Sequence, residues 1–251
     1  MVLFGDCKDT YNYKIFEFLS KNCSKRIKVI IFPKNNSNLD IKKIIKLFNY
    51  KLDYFKENFP HKNKLIISCI KKNKINSAIS VSFSKRLRKS FLKLFNPGVF
   101  NIHPGLIQYN RGRHSAFWSI YNNNNFGCTL HIMNKNFDDG KILDQIIYKN
   151  NGLYTSQEIH HKSNLARLRI IKKNLRKILN NSFSSNSLLK TRGKYYKKKD
   201  ILKKIILNKT KKIKVSELFN IIRGTSFDNN GFYINNGKKK YKILSRIIKE
   251  K

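Results

Sequence analysis

Through the first 180 residues, short apolar runs alternate with longer stretches whose apolar positions recur at helical spacing. Val2 to Phe4 read as a short strand leading into the polar loop "GDCKDT", after which Tyr13, Phe16, Phe18 and Leu19 give a helical face. "IKVIIF" at 27–32 predicts a buried strand ended by Pro33, and Ile41, Ile44, Ile45, Phe48 and Leu52 predict a helix over 40–56. Two further strands are expected, in "KLIISCI" at 64–70 and "SAISVSF" at 77–83. An amphipathic helix over 85–95 follows, ended by Asn96-Pro97-Gly98, and then a short strand from Val99 to Ile102. A long helix is expected at about 155–180. This rhythm predicts an α/β, Rossmann-like, mostly parallel sheet with helices on both faces.

The texture changes after that helix. "NNSFSSNS" at 180–187 reads as a flexible polar segment, residues 200–222 look helical in part, and "GFYINNGKKKYKIL" predicts a β-hairpin turning at Asn235-Asn236-Gly237. The expected organisation is a catalytic domain over 1–180 and a small C-terminal extension over 188–251, a helix plus a β-hairpin serving substrate or dimer contacts.

Composition narrows the partners. No run of 18 apolar residues occurs, so no membrane partner is expected. "MVLFGDCKDT" does not read as a signal peptide. Cys7, Cys23, Cys69 and Cys128 lie far apart without metal-ligand spacing, and Cys69 and Cys128 fall in expected apolar strands. A reduced, cytoplasmic protein without a metal is the simplest account. The net charge of +40 invites a nucleic-acid partner. However, only 11 of the 54 basic residues are arginines, and Lys, Asn and Ile are heavy even in evident loops, which suggests a bias of the whole proteome. The loop "FGDCKD" has one glycine where a dinucleotide fingerprint needs three, and no phosphate loop ending in Gly-Lys-Ser/Thr appears.

Chemistry concentrates in "FNIHPGLIQYNRGRHSAFWS" at 100–119 and "NFDDGKILDQ" at 136–145. Positions i and i+2 of a strand face the same way, so Asn101 and His103 project together from a strand's carboxyl end, where open α/β sheets bind ligands. An imidazole can take a proton from an attacking amine, and an amide N–H can hold the oxyanion of a tetrahedral intermediate. A carboxylate from Asp138 or Asp139 could orient the imidazole. Spacing alone leaves a plainer account open, in which Asn101 caps a turn, His103 fills a pocket and the aspartates start a helix.

The stretch "FNIHPGLIQYNRGRHSAFWSIYNNNNFGCTLHIMNKNFDDGKILDQ" closely resembles the signature region of the folate-dependent formyltransferases. These include methionyl-tRNA formyltransferase, glycinamide ribonucleotide formyltransferase and the nucleotide-sugar N-formyltransferases. The resemblance is strong over about 97–146 and looser over the rest of the first 180 residues. It implies the formyltransferase fold, N10-formyltetrahydrofolate as donor, and Asn101, His103 and Asp138 as catalytic residues. Asp139 stands where relatives often have Thr. The resemblance also places the folate along Val81 to Arg86, with Ser82, Phe83 and Arg86 as contacts, and again near Asp138.

"HPGLIQYNRGRHSAFWSI", "GCTLHIM" and "DGKILDQ" look most like the nucleotide-sugar branch, whereas the tRNA branch has a Ser-Leu-Leu-Pro segment where this chain has "PGLIQY". "GKYYKKKD" and "ELFNIIRGTSF" resemble segments of enzymes acting on TDP-linked aminodideoxy sugars. The expected acceptor is TDP-4-amino-4,6-dideoxy-D-glucose, and the product would feed surface polysaccharide (O-antigen) synthesis. Tyr109, Arg111, Trp118 and His131 are the candidate substrate contacts, with Trp118 equally suited to the buried side of a helix. A homodimer through the 232–243 hairpin is expected from the resemblance alone. Methionyl-tRNA formyltransferase, favoured by the charge, is the first alternative, and a non-catalytic basic nucleic-acid-binding protein is the second.

Overall fold

The computed structural model describes residues 1–7, 9–49, 51–183, 193–227, 231–244 and 247–248. The first half of the chain runs β1 (Val2–Gly5), α1 (Thr10–Cys23), β2 (Val29–Phe32), α2 (Asn38–Ile45), β3 (Asp53–Lys56), α3 (Lys64–Lys72), β4 (Ala78–Val81), α4 (Lys89–Leu92) and β5 (Val99–His103). It continues through β6 (Asn110–Gly112), α5 (Ser115–Tyr121), β7 (Phe126–Ile132), β8 (Ile142–Tyr148) and α6 (Ser156–Asn180). The C-terminal part contains β9 (Lys194–Tyr196), α7 (Leu202–Ile205), β10 (Ile206–Asn208), α8 (Val215–Thr225), β11 (Phe232–Asn236) and β12 (Lys239–Ile243).

The main sheet has the order β3-β2-β1-β4-β5-β7-β8. Neighbours from β3 to β5 are parallel, and β7 pairs antiparallel with β5. The strand order reverses between β1 and β4, so their carboxyl ends, Gly5 and Val81, flank a topological switch point, the place where open α/β sheets take ligands. A cluster built on Val2, Phe4, Val29, Ile66, Ile70, Ala78 and Val99 packs the sheet, with Phe4 edge-on to Phe91 and Phe95. The Rossmann-like, mostly parallel sheet and the C-terminal hairpin agree with the expected fold class.

Three expected elements differ. "KLIISCI" is the helix α3 and not a strand. Asn63 accepts hydrogen bonds at its N-terminus from the Leu65 and Ile66 amides, and Ile66 and Ile70, four apart, are its buried residues. A seven-residue apolar run carries too little periodicity to separate the two structures, and the cap decides. The helix expected over 40–56 stops at Ile45, and its last four residues, Asp53–Lys56, form the edge strand β3, most of it exposed. Mixed charge on such an edge limits pairing with other chains. The helix expected over 85–95 is reduced to the single turn α4. Cys69 therefore lies on α3, half-buried, with its thiol 3.2 Å from Asp53 Oδ2, while Cys128 is buried in β7.

Two compact units divide the chain. One comprises Met1–His103, Thr129–Gln145 and Arg167–Lys190; the other comprises Pro104–Cys128, Ile146–Ala166 and Thr191–Lys251. The second gathers two internal stretches with the C-terminal one, around a core of Phe117, Trp118, Tyr196, Ile205, Leu207, Ile221 and Phe232. Within it β10, β11 and β12 form a three-stranded sheet, the hairpin pairing Asn236 with Lys239 so that Gly237 and Lys238 make the tip. Residues 184–187 of the expected flexible segment, and the boundary at 188, lie outside the described residues. No helix among the described residues is long and apolar enough to cross a membrane.

Candidate active site

Strand β5 is buried along its whole length. Phe100 and Ile102 are fully buried, while the alternate positions carry two polar side chains, Asn101 and His103, at 8% and 7% exposure. Polar groups at such depth need partners. Antiparallel pairing with β7 sets His131 directly opposite Asn101, and the Asn101 Nδ2 lies 3.0 Å from His131 Nε2. The second proton of that amide points to Asp138 Oδ1 at a long 3.5 Å. Asp138 Oδ1 also faces His103 Nδ1 at 3.4 Å.

His103 Nε2 is buried and meets no hydrogen-bond partner among the described residues. With Nδ1–H turned to the Asp138 carboxylate, Nε2 carries a lone pair. That combination of an oriented ring and an unsatisfied basic nitrogen is the arrangement of a general base. His131 has a different part. Burial, opposed in part by Asp138, lowers its pKa to about 4, so at neutral pH its Nε2 accepts from Asn101, with Nδ1 3.3 Å from the Ile132 carbonyl. His131 thus aims the Asn101 amide.

The two adjacent aspartates separate in role. Asp138 adopts the left-handed backbone conformation, φ +44°, which Asp tolerates better than most residues and which turns its carboxylate toward His103. Asp139 is 3% exposed and accepts from Asn136 Nδ2 at 2.9 Å, so it braces the loop. Gly140 follows at φ +158°, where a Cβ would strike the Ile132 carbonyl oxygen. Only glycine lets the loop return so close to β7.

Ser82 follows the last residue of β4, Val81, at φ +60°, at the switch point. The Phe83 ring packs on Phe4 with centroids 5.4 Å apart, which leaves its backbone, and not its side chain, to meet a ligand. Arg86 is exposed, and its Nε donates to the Lys135 carbonyl at 2.9 Å. That bond joins the 82–86 loop to the 133–139 loop, the two segments expected to share one ligand.

Sequence reasoning passed over Asn12 and Arg167. Both are 1% exposed, and Arg167 Nη1 donates to Asn12 Oδ1 at 3.0 Å. The available signal was a charged residue, Arg167, among the helix positions Ser163, Ala166, Ile170, Ile171 and Asn174, all of them buried and uncharged.

Tyr109, Arg111 and Trp118 belong to the other unit. Tyr109 is 38% exposed. Arg111 lies on β6, and its Nε donates to the Gly193 carbonyl at 2.7 Å, across the parallel pairing of β6 with β9. The glycine of the "RGRH" cluster serves the same pairing, since a Cβ on Gly112 would press into the Tyr195 ring at 2.8 Å. Trp118 takes the buried side of its helix, the second of the two positions expected for it. Its ring is 3% exposed and stacks on Tyr196 with centroids 3.8 Å apart, a core position. His160 and His161 lie on α6, the former against the Phe227 ring. Among the described residues no group of three or more His, Cys, Asp and Glu is placed to hold a metal ion.

A family model described as formyl transferase matches residues 20–166. Two curated relatives align over parts of the chain. One is a bifunctional polymyxin resistance protein ArnA of Wigglesworthia glossinidia brevipalpis, 31% identical over 53% of this chain and 20% of its own length. The other is a GDP-perosamine N-formyltransferase of Brucella melitensis, 40% identical over 27% of this chain and 26% of its own. The chain therefore spans only a fifth to a quarter of these relatives. Solved structures share the fold over nearly the whole chain. A sugar N-formyltransferase from Shewanella superposes with a TM-score of 0.80 at 20% identity, over 99% of this chain and 98% of that one. An N-formyltransferase from Helicobacter canadensis, solved in complex with folinic acid and dTDP-3-aminofucose, gives 0.65 at 20% identity over 94% and 84%.

Proposed function

The chain belongs to the formyl transferase family, and from that premise we propose that it transfers a formyl group from N10-formyltetrahydrofolate to the amino group of a nucleotide-linked sugar. The observation that carries this proposal is the buried His103 Nε2, without a partner among the described residues, on a ring turned by Asp138 and beside the Asn101 amide. Such a nitrogen has a use only when a proton-bearing group arrives next to it.

The residues present fit a folate donor. The switch-point loop carries Ser82 in a left-handed conformation and Phe83 with its side chain turned inward, so that backbone groups are offered to a ligand. Ser82, the Phe83 backbone, Arg86 and the loop of Asp138 would hold it. When bound, the folate supplies the formyl group and leaves as tetrahydrofolate. His103 Nε2 takes a proton from the acceptor amine as its nitrogen bonds to the formyl carbon. Asn101 Nδ2 turns its weakly engaged proton from Asp138 to the oxygen that gains negative charge. Asp138 keeps Nδ1–H toward itself and stabilises the imidazolium until His103 passes its proton to the departing nitrogen.

For the acceptor we propose TDP-4-amino-4,6-dideoxy-D-glucose, met through Tyr109 and Arg111, with Trp118 supporting that surface from beneath. The resemblance of "GKYYKKKD" and "ELFNIIRGTSF" supports a TDP sugar, as does the dTDP-3-aminofucose held by the Helicobacter canadensis N-formyltransferase, while the likeness to the Shewanella sugar N-formyltransferase supports a sugar acceptor in general. Residues 1–180 would then carry the chemistry and the Tyr109 and Arg111 contacts, and the 188–251 extension further substrate or dimer contacts.

The test is a panel of acceptors with N10-formyltetrahydrofolate as donor. It comprises TDP-4-amino-4,6-dideoxyglucose, its 3-amino and 4-epimeric relatives, GDP-perosamine and initiator methionyl-tRNA. One TDP sugar is expected to exceed the others in kcat/KM by at least tenfold. Turnover of GDP-perosamine alone would correct the nucleotide, and formylation of the tRNA alone would overturn the sugar acceptor.

A further inference from the structure

Arg167 is a guanidinium on α6, 1% exposed, inside the same unit as Asn101, His103 and Asp138. Its Nε donates to the Ile102 carbonyl at 3.2 Å, the peptide joining Ile102 to His103. Its Nη1 donates to Asn12 Oδ1 at 3.0 Å and its Nη2 to Ser82 Oγ at 2.9 Å. Ser82 Oγ in turn donates to Asn12 Oδ1 at 3.1 Å, and Asn12 Nδ2 donates to the Asp6 carbonyl at 2.9 Å. One planar fork thus meets the ends of two adjacent parallel strands, β4 and β5, and the first helix.

A charged side chain taken this far from water is costly unless its donors are used. A carbon side chain of similar size would fill the space without that cost. What the guanidinium adds is direction, because its donors are fixed in one plane and are satisfied only while these acceptors hold their places. Two of those acceptors sit where placement governs chemistry. Ile102 precedes the imidazole whose Nε2 is unpartnered. Ser82 has φ +60°, a conformation that costs energy in a residue with a Cβ and persists only when its surroundings enforce it.

We propose that Arg167 is a positioning residue that couples the folate-binding loop at Ser82 to the catalytic strand at His103. It holds Ser82 in the left-handed conformation and fixes the peptide from which the His103 ring projects, so that a change at one is felt at the other. This inference rests on the formyl transfer proposed above. It identifies a determinant of donor affinity and of turnover that touches neither reactant.

The experiment compares wild type with Arg167→Lys, Arg167→Met, Ser82→Ala and the Arg167→Met/Ser82→Ala double variant. The readouts are folinic acid binding by titration, kcat and donor KM, and the side-chain NMR signals of His103, with those of His160 and His161, about two turns before Arg167 on α6, as controls. Arg167→Met is expected to weaken folinic acid binding and to lower kcat, each by at least tenfold, with a native circular dichroism spectrum. Arg167→Lys, which keeps the charge but loses the fork, is expected to fall between. Ser82→Ala should weaken binding several-fold, and adding it to Arg167→Met should weaken binding no further. In Arg167→Lys the His103 signals should shift while those of His160 and His161 stay.

Binding and kcat within twofold of wild type in Arg167→Met, or losses that multiply in the double variant, would overturn the coupling. If Arg167→Met does not fold, Arg167→Lys decides through the same ratios. A wild type that neither binds folinic acid nor transfers formyl groups would refute the formyltransferase function instead. The His103 signals would then still judge the arginine, and their failure to move in Arg167→Lys would overturn its positioning role.

Discussion

At the scale of single residues, the proposed mechanism sets proton transfer by His103 apart from support by Asp138, Asp139 and His131. His103→Asn is expected to lower kcat by about 10²–10⁴-fold, the range for a general base, with ligand affinities within a few-fold. The aspartates should behave oppositely to each other. Asp138→Asn removes the carboxylate facing His103 Nδ1 and should depress kcat strongly while moving Tm little. Asp139→Ala removes a buried carboxylate that accepts from the exposed Asn136 amide at 2.9 Å; the freed amide can turn to water, so the loss is that of one hydrogen bond, about 0.5–1.5 kcal/mol, and should appear chiefly as a lowered Tm. Equal losses of kcat from the two substitutions would count against the assignment to Asp138. His131 carries a stability consequence. Burial lowers its pKa to about 4, against about 6.5 in an unfolded chain. Between these values the unfolded state binds a proton that the folded state refuses, so stability rises with pH across that window and is flat above it. The full effect is on the order of 3 kcal/mol. Acidification from pH 6.5 to 4 should lower Tm more in wild type than in His131→Gln, and parallel Tm curves would show that His131 is not the group responsible.

At the scale of elements, α3 tests why one apolar run is a helix. Asn63 takes hydrogen bonds from the Leu65 and Ile66 amides, and replacing it with Ala should destabilise the protein by about 0.5–2 kcal/mol, read as a shift in denaturant midpoint at constant slope. No change would mean that burial of Ile66 and Ile70 alone sets the helix. The same region shows what the sequence discloses. Strands β1, β2, β4 and β5 were legible because each is a short β-branched or aromatic run closed by a turn, and Asn101 and His103 were legible because a strand's period places them together. "KLIISCI" was not, since its composition suits a buried strand and its cap is a single Asn lying outside the run. Edge strand β3, "DYFK", was absorbed into the preceding helix because an exposed edge shows no apolar alternation. The division of labour between Asp138 and Asp139 depends on a left-handed backbone that adjacent identical residues do not announce. The fork of Arg167 was hidden for a different reason. Asn12, Ser82 and Ile102 are separated from it by 155, 85 and 65 positions, and only the folded sheet brings them to one guanidinium.

At the scale of the whole molecule, the excess of 54 basic over 14 acidic residues must act on any partner that carries phosphate. A field of that sign raises the encounter rate with an anionic acceptor without adding a specific contact, and salt removes it. The Debye length falls from about 10 Å at 0.1 M to about 3 Å at 1 M. The kcat/KM for a nucleotide-diphosphate sugar should therefore fall as ionic strength rises, with kcat at saturation little changed, because steering acts before chemistry begins. The corresponding free amino sugar, lacking the diphosphate, should show a far weaker salt dependence. Arg111 sharpens the comparison, because it is half-exposed on β6 and its Nε, held by the Gly193 carbonyl, fixes the direction of the guanidinium. Arg111→Met should reduce kcat/KM for the charged acceptor beyond what general screening explains, and should do so even at high salt. If instead salt alone abolishes the difference between charged and free acceptors, and Arg111→Met behaves as wild type, the positive charge would be acting as a diffuse field with no dedicated diphosphate contact at Arg111.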